Sequence, residues 1–280
     1  MTWRLAVEHT TEQRYGGVVL ASYNEARITP PSSEAQLVMD HEIGIRPVTR
    51  MLRYVDYWGT KVTAFDVHEP HERLVVHGRS LVETGLRPGV AAPVSWEVLT
   101  GASCLDEFHE VLGPSPYVPP DAQFSAIARE ITAGLEPMAA VEAVTDWTRA
   151  HVAYERGSTT VRTTAVEALA LARGVCQDFV HVALGLLRAL GIPARYASGY
   201  LHPEEDAQVG ERVMAESHAW LDAWIGGWQP VDPTNGAPVA ERHVLVARGR
   251  DYSDVTPFKG VYHGPSSEGV SVQVAVTRTL

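Results

Sequence analysis

The first 118 residues alternate apolar and polar positions with the two-residue period of β-strands. Trp3, Leu5 and Val7 would share one face of such a strand, with Arg4 and Glu8 on the other. Further runs have the same character, and we predict strands at Val18–Tyr23, Ala35–Met39, Met51–Tyr57, Lys61–Val67 and Arg73–Glu83. Together these segments predict a β-rich N-terminal region, with the strands arranged as a sandwich.

A proline-rich stretch separates this region from the rest of the chain. Residues 85–120 contain Pro88, Pro93, Pro114, Pro116, Pro119 and Pro120. Because proline lacks a backbone donor and breaks regular elements, we predict an irregular connection here. One short helix is expected within it, at Cys104–Leu112.

Beyond this connection the apolar spacing changes to the period of a helix. The start and stop signals are the cap Asp121, the first-turn proline Pro137, the capping box Thr164–Glu167 with a stop at Gly174, and Gly191-Pro193 behind the run Gln177–Leu190. Four helices are therefore predicted between residues 121 and 190.

The remaining third of the chain returns to strand-like patterns. Arg195–Tyr200 and His218–Ile225 predict two strands, and Gly226-Gly227 predicts a tight hairpin into Trp228–Val231. Near the end, valines at 270, 272, 274 and 276 predict a strand with one buried face. The order of elements indicates an α+β protein with two regions, 1–118 and 119–280.

Composition narrows the classes of function. Of the 280 residues, 45% are hydrophobic, which is enough for a large core. Lys+Arg number 23 against 34 Asp+Glu, a net charge of −11 that argues against nucleic-acid partners and against anionic membrane surfaces. The start of the chain lacks a basic segment followed by an apolar one, and Val180–Leu190 is too short to span a bilayer. We therefore expect a cytoplasmic protein.

The two cysteines, Cys104 and Cys176, differ in their surroundings. Two cysteines exclude a disulfide framework and an all-cysteine metal site. Cys176 lies where a glycine-ended segment turns into an apolar helix, and the first turn of a helix stabilises a thiolate. The alternative is a small buried residue in the core. Cys104 lies in the proline-rich connection and is interpreted as incidental.

A histidine and an aspartate follow Cys176 in an order that suits nucleophilic catalysis. His218 begins one predicted strand and Asp232 ends the next, so that a tight hairpin would bring them side by side. A histidine can take the thiol proton, and a carboxylate beside it fixes the imidazole tautomer. Taken singly, each residue also suits a structural role, since Asp-Pro is a frequent turn pair.

With its cysteine, histidine and aspartate in this order, the sequence resembles the transglutaminase-like superfamily, in particular its bacterial cytoplasmic branch. The segments that carry the resemblance are GVCQDFVHVALGLLRALGIPARYASGYL at 174–201, SHAWLDAWIGGWQPVDPTNG at 217–236 and HVLVARGRDYSDVTPFKGV at 243–261. HTTEQRYGGVVLASYNEARITP at 9–30 resembles the β-rich domain that precedes the catalytic core in this branch. The resemblance thus covers nearly the whole chain.

The resemblance implies a papain-like core, in which helices pack on an antiparallel sheet or barrel, preceded by a β-sandwich-like domain. It implies Cys176 as nucleophile, His218 as base and acid, and Asp232 as the orienting partner, without a cofactor. Members attack a carboxamide or peptide carbonyl and form a thioester, which passes to water or to an amine. The backbone N–H of Cys176 is expected in the oxyanion hole, and its second donor is unassigned.

Several neighbours have more than one interpretation. Asp178 and His181 follow the nucleophile closely, and we favour a role in anchoring the helix start. A zinc site would recruit His181 together with Cys176, His218 and Asp232, although no compact ligand motif supports it. Tyr200 and Trp220 are candidates to line the substrate cleft, but aromatic residues on strands are often core.

Two further segments near the predicted site have roles that the sequence alone does not decide. Asp251-Tyr252-Ser253-Asp254 is a calcium-like carboxylate cluster, a segment that shapes the cleft, or an acidic turn. The polar loop Pro203–Ala215 directly precedes the histidine strand and is predicted to act as a lid or specificity loop. The cleft-shaping alternative for the first segment is what the family resemblance implies, whereas the lid prediction depends on position and composition alone.

The favoured activity is hydrolysis of a peptide or protein substrate. Cross-linking needs a site that excludes water and admits lysine, and the sequence indicates neither property. A non-catalytic peptide-binding module of the same fold is the second alternative, which the presence of all three residue types disfavours. Oligomeric state is not predicted.

Overall fold

The computed structural model describes residues 2–85 and 92–280, so the part of the proline-rich connection that holds Pro88 lies outside the described residues. Its strands are β1 (Trp3–Val19), β2 (Ala21–Thr29), β3 (Gln36–Arg46), β4 (Met51–Val55), β5 (Lys61–Val67), β6 (His71–Thr84), β7 (Ala153–Tyr154), β8 (Arg173–Gly174), β9 (Ala194–Leu201), β10 (Arg212–Ala215), β11 (Ser217–Trp224), β12 (Trp228–Val231), β13 (His243–Gly249), β14 (Phe258–His263) and β15 (Ser267–Arg278). Its helices are α1 (Trp96–Leu99), α2 (Ala102–Glu107), α3 (His109–Leu112), α4 (Ala122–Ile131), α5 (Pro137–His151), α6 (Ala165–Leu171), α7 (Cys176–Ala189) and α8 (Tyr252–Val255).

The N-terminal strands form two antiparallel sheets that face each other, as predicted. One sheet has the order β10-β15-β1-β6-β3 and the other β14-β2-β5-β4. Alternate residues of β1, β2, β5 and β6 point into the space between the sheets, where Tyr15, Ile28, Phe65 and Val76 belong to one buried cluster. Burial of these apolar faces stabilises the sandwich.

Two strands from the end of the chain complete this sandwich. β15 pairs with β1, with Val274 opposite His9, and β14 pairs with β2, with Val261 opposite Tyr23. The predicted division between residues 118 and 119 stays a prediction, but these pairings cross it. The C-terminal strands therefore lie in the N-terminal sheets.

Some predicted boundaries are wrong. Val18–Tyr23 is not one strand, because the chain turns at Leu20 between β1 and β2. The single helix expected at Cys104–Leu112 is divided into α2 and α3, since Phe108 between them leaves helical geometry with φ −109° and ψ 17°. On β15, Val270 and Val272 are about half exposed, so only the last part of the strand has the expected buried face.

The second half of the chain packs helices on a third antiparallel sheet, with the order β12-β11-β9-β13. Helix α7 packs against this sheet. Nearly all of the side chains of α7 are buried, against β9 and β11 of the sheet and against the surrounding helices α4, α5 and α6. The predicted hairpin joins β11 to β12, where Gly226 has a φ of +99° that a side chain would strain. Residues of α7 and this sheet form the largest buried cluster.

The helix starts follow the predicted signals. The Asp121 side chain accepts the Gln123 N–H at 2.7 Å, and Pro137 occupies the first turn of α5. Thr164 and Glu167 form the capping box of α6. After α6, the short parallel pair of β7 and β8 leads directly into α7, and this pair fixes the direction in which the chain reaches Cys176.

The third sheet also contacts the N-terminal sandwich. The Tyr200 hydroxyl lies 2.9 Å from His9 Nδ1 on β1, and the Gln36 side chain bonds both backbone groups of Leu245. The face of this sheet that carries Tyr196 and Tyr200 is thus covered by α7 and by the five-stranded sheet, and on the other face Trp220 packs in a separate buried cluster with Val239. Among the described residues, no helix has the length and apolar character needed to cross a membrane.

Candidate active site

Cys176 is the first residue of α7, and its position is held by Asp178. The Asp178 carboxylate accepts the Val175 N–H at 2.8 Å and the Thr159 hydroxyl at 2.6 Å. A Cβ at Gly174 would lie only 2.5 Å from Asp178 Cβ, so glycine is required for this fold-back. Asp178 therefore anchors the helix start as predicted, and the Cys176 N–H belongs to a first turn that has no intrahelical acceptors.

The β11–β12 hairpin brings His218 and Asp232 together. These strands pair with Leu221 opposite Val231, and His218 Nε2 lies 2.7 Å from Asp232 Oδ2. Cys176 and His218 line the same two cavities, and the charge of Cys176 acts on the imidazole. Since Nε2 is bound to the carboxylate, Nδ1 is the ring nitrogen left for the sulfur.

The electrostatics of this group favour a positively charged imidazole. Burial by itself would lower the pKa of His218, but the hydrogen bonds and negative charges of Asp232 and Cys176 raise that pKa to about 10. Burial would raise the pKa of Asp232, yet hydrogen bonds from His218, His243 and Asn235 hold it far below its ordinary value. An imidazolium between a carboxylate and a sulfur stabilises the thiolate, which is the nucleophilic form.

Asp232 has further partners that the sequence analysis missed. Its Oδ1 accepts the Thr234 and Asn235 backbone N–H groups at 2.9 and 3.2 Å, and its Oδ2 accepts the Asn235 amide at 2.8 Å. His243 Nε2, on β13, lies 3.6 Å from the same Oδ2. Asn235 could have been found as part of the turn after Asp232, but His243 is brought in by strand order alone.

Two cavities meet at the Cys176–His218 pair. One has a volume of about 710 Å³ and the other about 350 Å³. The residues that line both are Tyr154, Cys176, Ala215, Glu216, Ser217 and His218. The sulfur and the imidazole are therefore accessible from two sides.

The positions of Tyr200 and Trp220 favour the core alternative, and their contact with substrate stays a prediction. Tyr200 is 3% exposed and Trp220 is fully buried, and neither lines a cavity at Cys176. The reason is that both faces of the third sheet are covered, so large side chains on β9 and β11 become core. Trp220 instead packs behind the site, with its ring 6.3 Å from that of His218 and 5.3 Å from that of His243.

The zinc set considered from sequence is not assembled, because His181 faces elsewhere. His181 is fully buried, and its Nε2 accepts the Tyr252 N–H at 3.3 Å. The metal-binding atoms of His218, Asp232 and His243 do lie within 4.8 Å of one another. The short His218–Asp232 hydrogen bond and the bonds from the neighbouring backbone account for this grouping without a metal ion.

The segment 251–254 shapes the site and its carboxylates already have donors. Asp251 accepts the Tyr117 and Ser253 N–H groups, both at 2.8 Å, and Asp254 pairs with Arg250 at 2.9 Å. Tyr252, between them, lines the smaller cavity with Cys176. These contacts favour the cleft-shaping interpretation over a calcium site.

The predicted lid borders the larger cavity through Pro203, Glu205 and Met214. The Arg242 guanidinium bonds the Pro203 carbonyl at 3.1 Å and Glu205 at 3.0 Å, and the end of the segment is strand β10. Its movement as a lid stays a prediction. Cys104 is buried, and burial raises the pKa of its thiol.

Comparison with known proteins identifies the family. Residues 125–233 match the transglutaminase-like superfamily, and residues 5–83 match the bacterial transglutaminase-like N-terminal region. An uncharacterised protein of Mycobacterium leprae is 45% identical over 277 residues, which cover 99% of each chain. The chain belongs to the transglutaminase-like superfamily.

Two other relatives agree with this assignment. An uncharacterised protein of Mycobacterium tuberculosis is 33% identical over 299 residues, which cover 98% of this chain and 92% of the relative. A crystal structure from Cytophaga hutchinsonii, provisionally named a cysteine protease, superposes with a TM-score of 0.77 at 22% identity and covers 99% of this chain and 98% of its own. That structure shows the same fold over both regions.

Proposed function

We propose that this protein is a thiol hydrolase that cleaves peptide or carboxamide bonds with Cys176, His218 and Asp232. The observation that carries the proposal is the His218 imidazole, which bonds Asp232 at 2.7 Å and lines the same two cavities as Cys176. The three side chains come from α7, β11 and the end of β12. Nucleophilic catalysis needs such an arrangement, with Cys176 and His218 in the cavity wall and Asp232 buried behind the imidazole.

The reaction proceeds in two stages. The Cys176 thiolate attacks the carbonyl carbon, and the C–N bond breaks as His218 gives its proton to the departing nitrogen, which leaves a thioester. His218, now neutral, takes a proton from water as the water oxygen attacks the thioester. The C–S bond then breaks, which releases the carboxylic acid and restores the thiolate and the imidazolium, and the acid loses its proton to solvent.

Each residue has a defined role in these stages. Asp232 keeps the imidazole oriented and stabilises its charge. The Cys176 N–H, at the positive end of α7, faces the region where the carbonyl oxygen becomes negative. The larger cavity is open to solvent and polar, which supports water rather than an amine as the second nucleophile.

Selective alkylation tests the thiolate. At pH 6 a thiol with the ordinary pKa of about 8.5 is less than about 1% ionised. We expect iodoacetamide at pH 6 to label Cys176 at least about 30-fold faster in the native protein than in Asp232→Asn, because the variant loses the charge that stabilises the imidazolium. Peptide mapping by mass spectrometry assigns the label, and the buried Cys104 serves as the internal reference.

Equal labelling rates in the two proteins would contradict the proposed ion pair.

Product analysis then separates hydrolysis from transfer. Glutamine peptides are incubated with a fluorescent amine, and ammonia release and peptide cleavage are measured together with amine incorporation. Amine incorporation faster than hydrolysis would replace the proposal with cross-linking.

A further inference from the structure

The two cavities that meet at Cys176 differ in chemistry. The larger one is bordered by Arg156 and Glu216, 3.4 Å apart, and by Arg242 and Glu205, 3.0 Å apart. The smaller one has mostly apolar and aromatic walls, and these are formed by Val161, Tyr196, Tyr252, Pro257, Val272 and Val274. The site therefore offers one charged side and one apolar side to a substrate.

The neighbours of the catalytic atoms indicate which part of the substrate enters each cavity. Val175 and Gln177, which flank the nucleophile, line the smaller cavity. Thr234 and Asn235, which lie beside the His218–Asp232 pair, line the larger one. The acyl carbon bonds to sulfur while the leaving nitrogen takes its proton from the imidazole, so the acyl part extends into the smaller cavity.

Two exposed valines converge on this smaller cavity from separate segments. Val161 is 62% exposed and Val272 is 51% exposed, one in the connection before α6 and the other on β15. Single exposed apolar residues are ordinary, but two that share a cavity with the rings of Tyr196 and Tyr252 form an apolar surface that a ligand can cover. The charged groups among the lining residues are Glu216 and the Cys176–His218 pair, and all three residues also line the larger cavity.

We propose that the smaller cavity is the specificity pocket for an apolar side chain, aliphatic or aromatic, on the acyl side of the cleaved amide. This inference rests on the proposed function and narrows its substrate class. A cavity of about 350 Å³ accommodates one large side chain. An acidic side chain would be desolvated there and would be rejected, because the one cation in the wall, the His218 imidazolium, is already paired with Asp232.

Peptide aldehydes test the pocket through the thiol alone. They add reversibly to a thiolate, and their protection of Cys176 against iodoacetamide is measured for acyl-side Leu, Phe, Gly and Asp. We expect Leu and Phe aldehydes to protect at about 10-fold lower concentration than Gly, and Asp to protect least. Aminomethylcoumarin amides of the same four residues, hydrolysed by the native protein, should give kcat/KM in the same order.

A matched pair of variants locates the preference. Val272→Asp places a charge in the cavity wall and should weaken protection by Leu and Phe aldehydes about 10-fold, with Gly changed less than about twofold. Val270→Asp is the control, because Val270 lies on the same face of β15, is 54% exposed and does not line the cavity. Val270→Asp should change neither the order of the four aldehydes nor the concentrations at which they protect Cys176.

The outcomes separate the two proposals. Equal protection by all four aldehydes, or equal effects of the two variants, would overturn the specificity pocket. Aldehyde protection in the expected order with no amide hydrolysed would overturn the proposed function while retaining the pocket.

Discussion

Two buried histidines in this protein lie near buried aspartates and yet differ in charge. His218, beside Asp232, has a pKa raised to about 10. His181, near Asp251, has a pKa lowered to about 3. Both residues are buried, with His218 9% exposed and His181 fully buried, so burial alone does not decide the protonation of either.

The difference lies in the hydrogen bonds. His218 Nε2 bonds the Asp232 carboxylate directly at 2.7 Å, so the imidazolium has a negatively charged acceptor for its N–H. His181 Nε2 accepts a backbone N–H from Tyr252, and the Asp251 oxygens are taken by other N–H groups. A carboxylate that acts only through space does not offset the desolvation of an imidazolium, whereas a direct bond does.

The largest expected effect comes from the same substitution at the two positions. His218→Gln removes the proposed base and the proposed partner of the thiolate, and should lower kcat/KM about 10³-fold. His181→Gln keeps an acceptor for the Tyr252 N–H and should leave kcat/KM within about threefold, while it lowers the free energy of unfolding by about 1–3 kcal/mol. Steady-state hydrolysis and urea denaturation measure the two quantities.

The comparison would be broken if the two variants lost activity equally. Circular dichroism and the urea midpoint of each variant show that the folded protein is being assayed. If His181→Gln lost activity about 10³-fold while remaining folded, His181 would have to act on the substrate rather than on the helix.

Much of this site could be predicted because its signals are local. Cys176 at a helix start and the hairpin from His218 to Asp232 depend on caps, glycines and strand period, and the structure has them where the sequence indicated. The sandwich could likewise be predicted from the alternation of apolar and polar positions within strands such as Lys61–Val67. Short-range rules suffice where one turn or one hairpin sets the geometry.

The parts that could not be predicted depend on long-range pairing. His243 reaches Asp232 only because β13 lies beside β9, a pairing that no local pattern encodes. Tyr200 is buried because β1, nearly two hundred residues earlier, covers it through His9. Whether an aromatic strand residue is core or cleft is decided by what covers its face, and that is a property of the assembled sheets.

The pH dependence of stability should have opposite signs for the two histidines. A histidine with a raised pKa stabilises the fold fully below its unfolded pKa of about 6.5, and this contribution is lost as pH rises through the folded pKa. The lowered pKa of His181 acts in reverse, because the unfolded chain binds a proton that the folded chain does not, so stability falls as pH drops from about 6.5 towards 3. Each slope is at most about 1.4 kcal/mol per pH unit.

The measurement is made in Cys176→Ala, which removes the titration of the thiol while Asp232 still raises the pKa of His218. Urea denaturation across pH 3–10 then gives the free energy of unfolding. Adding His218→Gln should flatten the decline above pH 6.5, and adding His181→Gln should flatten the decline below it. If His218→Gln instead flattened the decline below pH 6.5, or His181→Gln the decline above it, the protonation states of the two histidines would have been assigned the wrong way round.

The smallest expected effect concerns the second histidine at Asp232. The Ala240 N–H lies 3.3 Å from His243 Nδ1, so Nε2 carries the proton and faces Asp232 at 3.6 Å. His243→Gln should weaken one long hydrogen bond to this carboxylate, lower kcat/KM about threefold to tenfold, and move the alkaline limb of Cys176 alkylation against pH downwards as the imidazolium is less stabilised. His9→Gln is the control, since His9 is equally buried but bonds Tyr200. A loss of kcat/KM without that movement of the pH profile would leave His243 as a packing residue behind Trp220, with no part in holding the charge of the site.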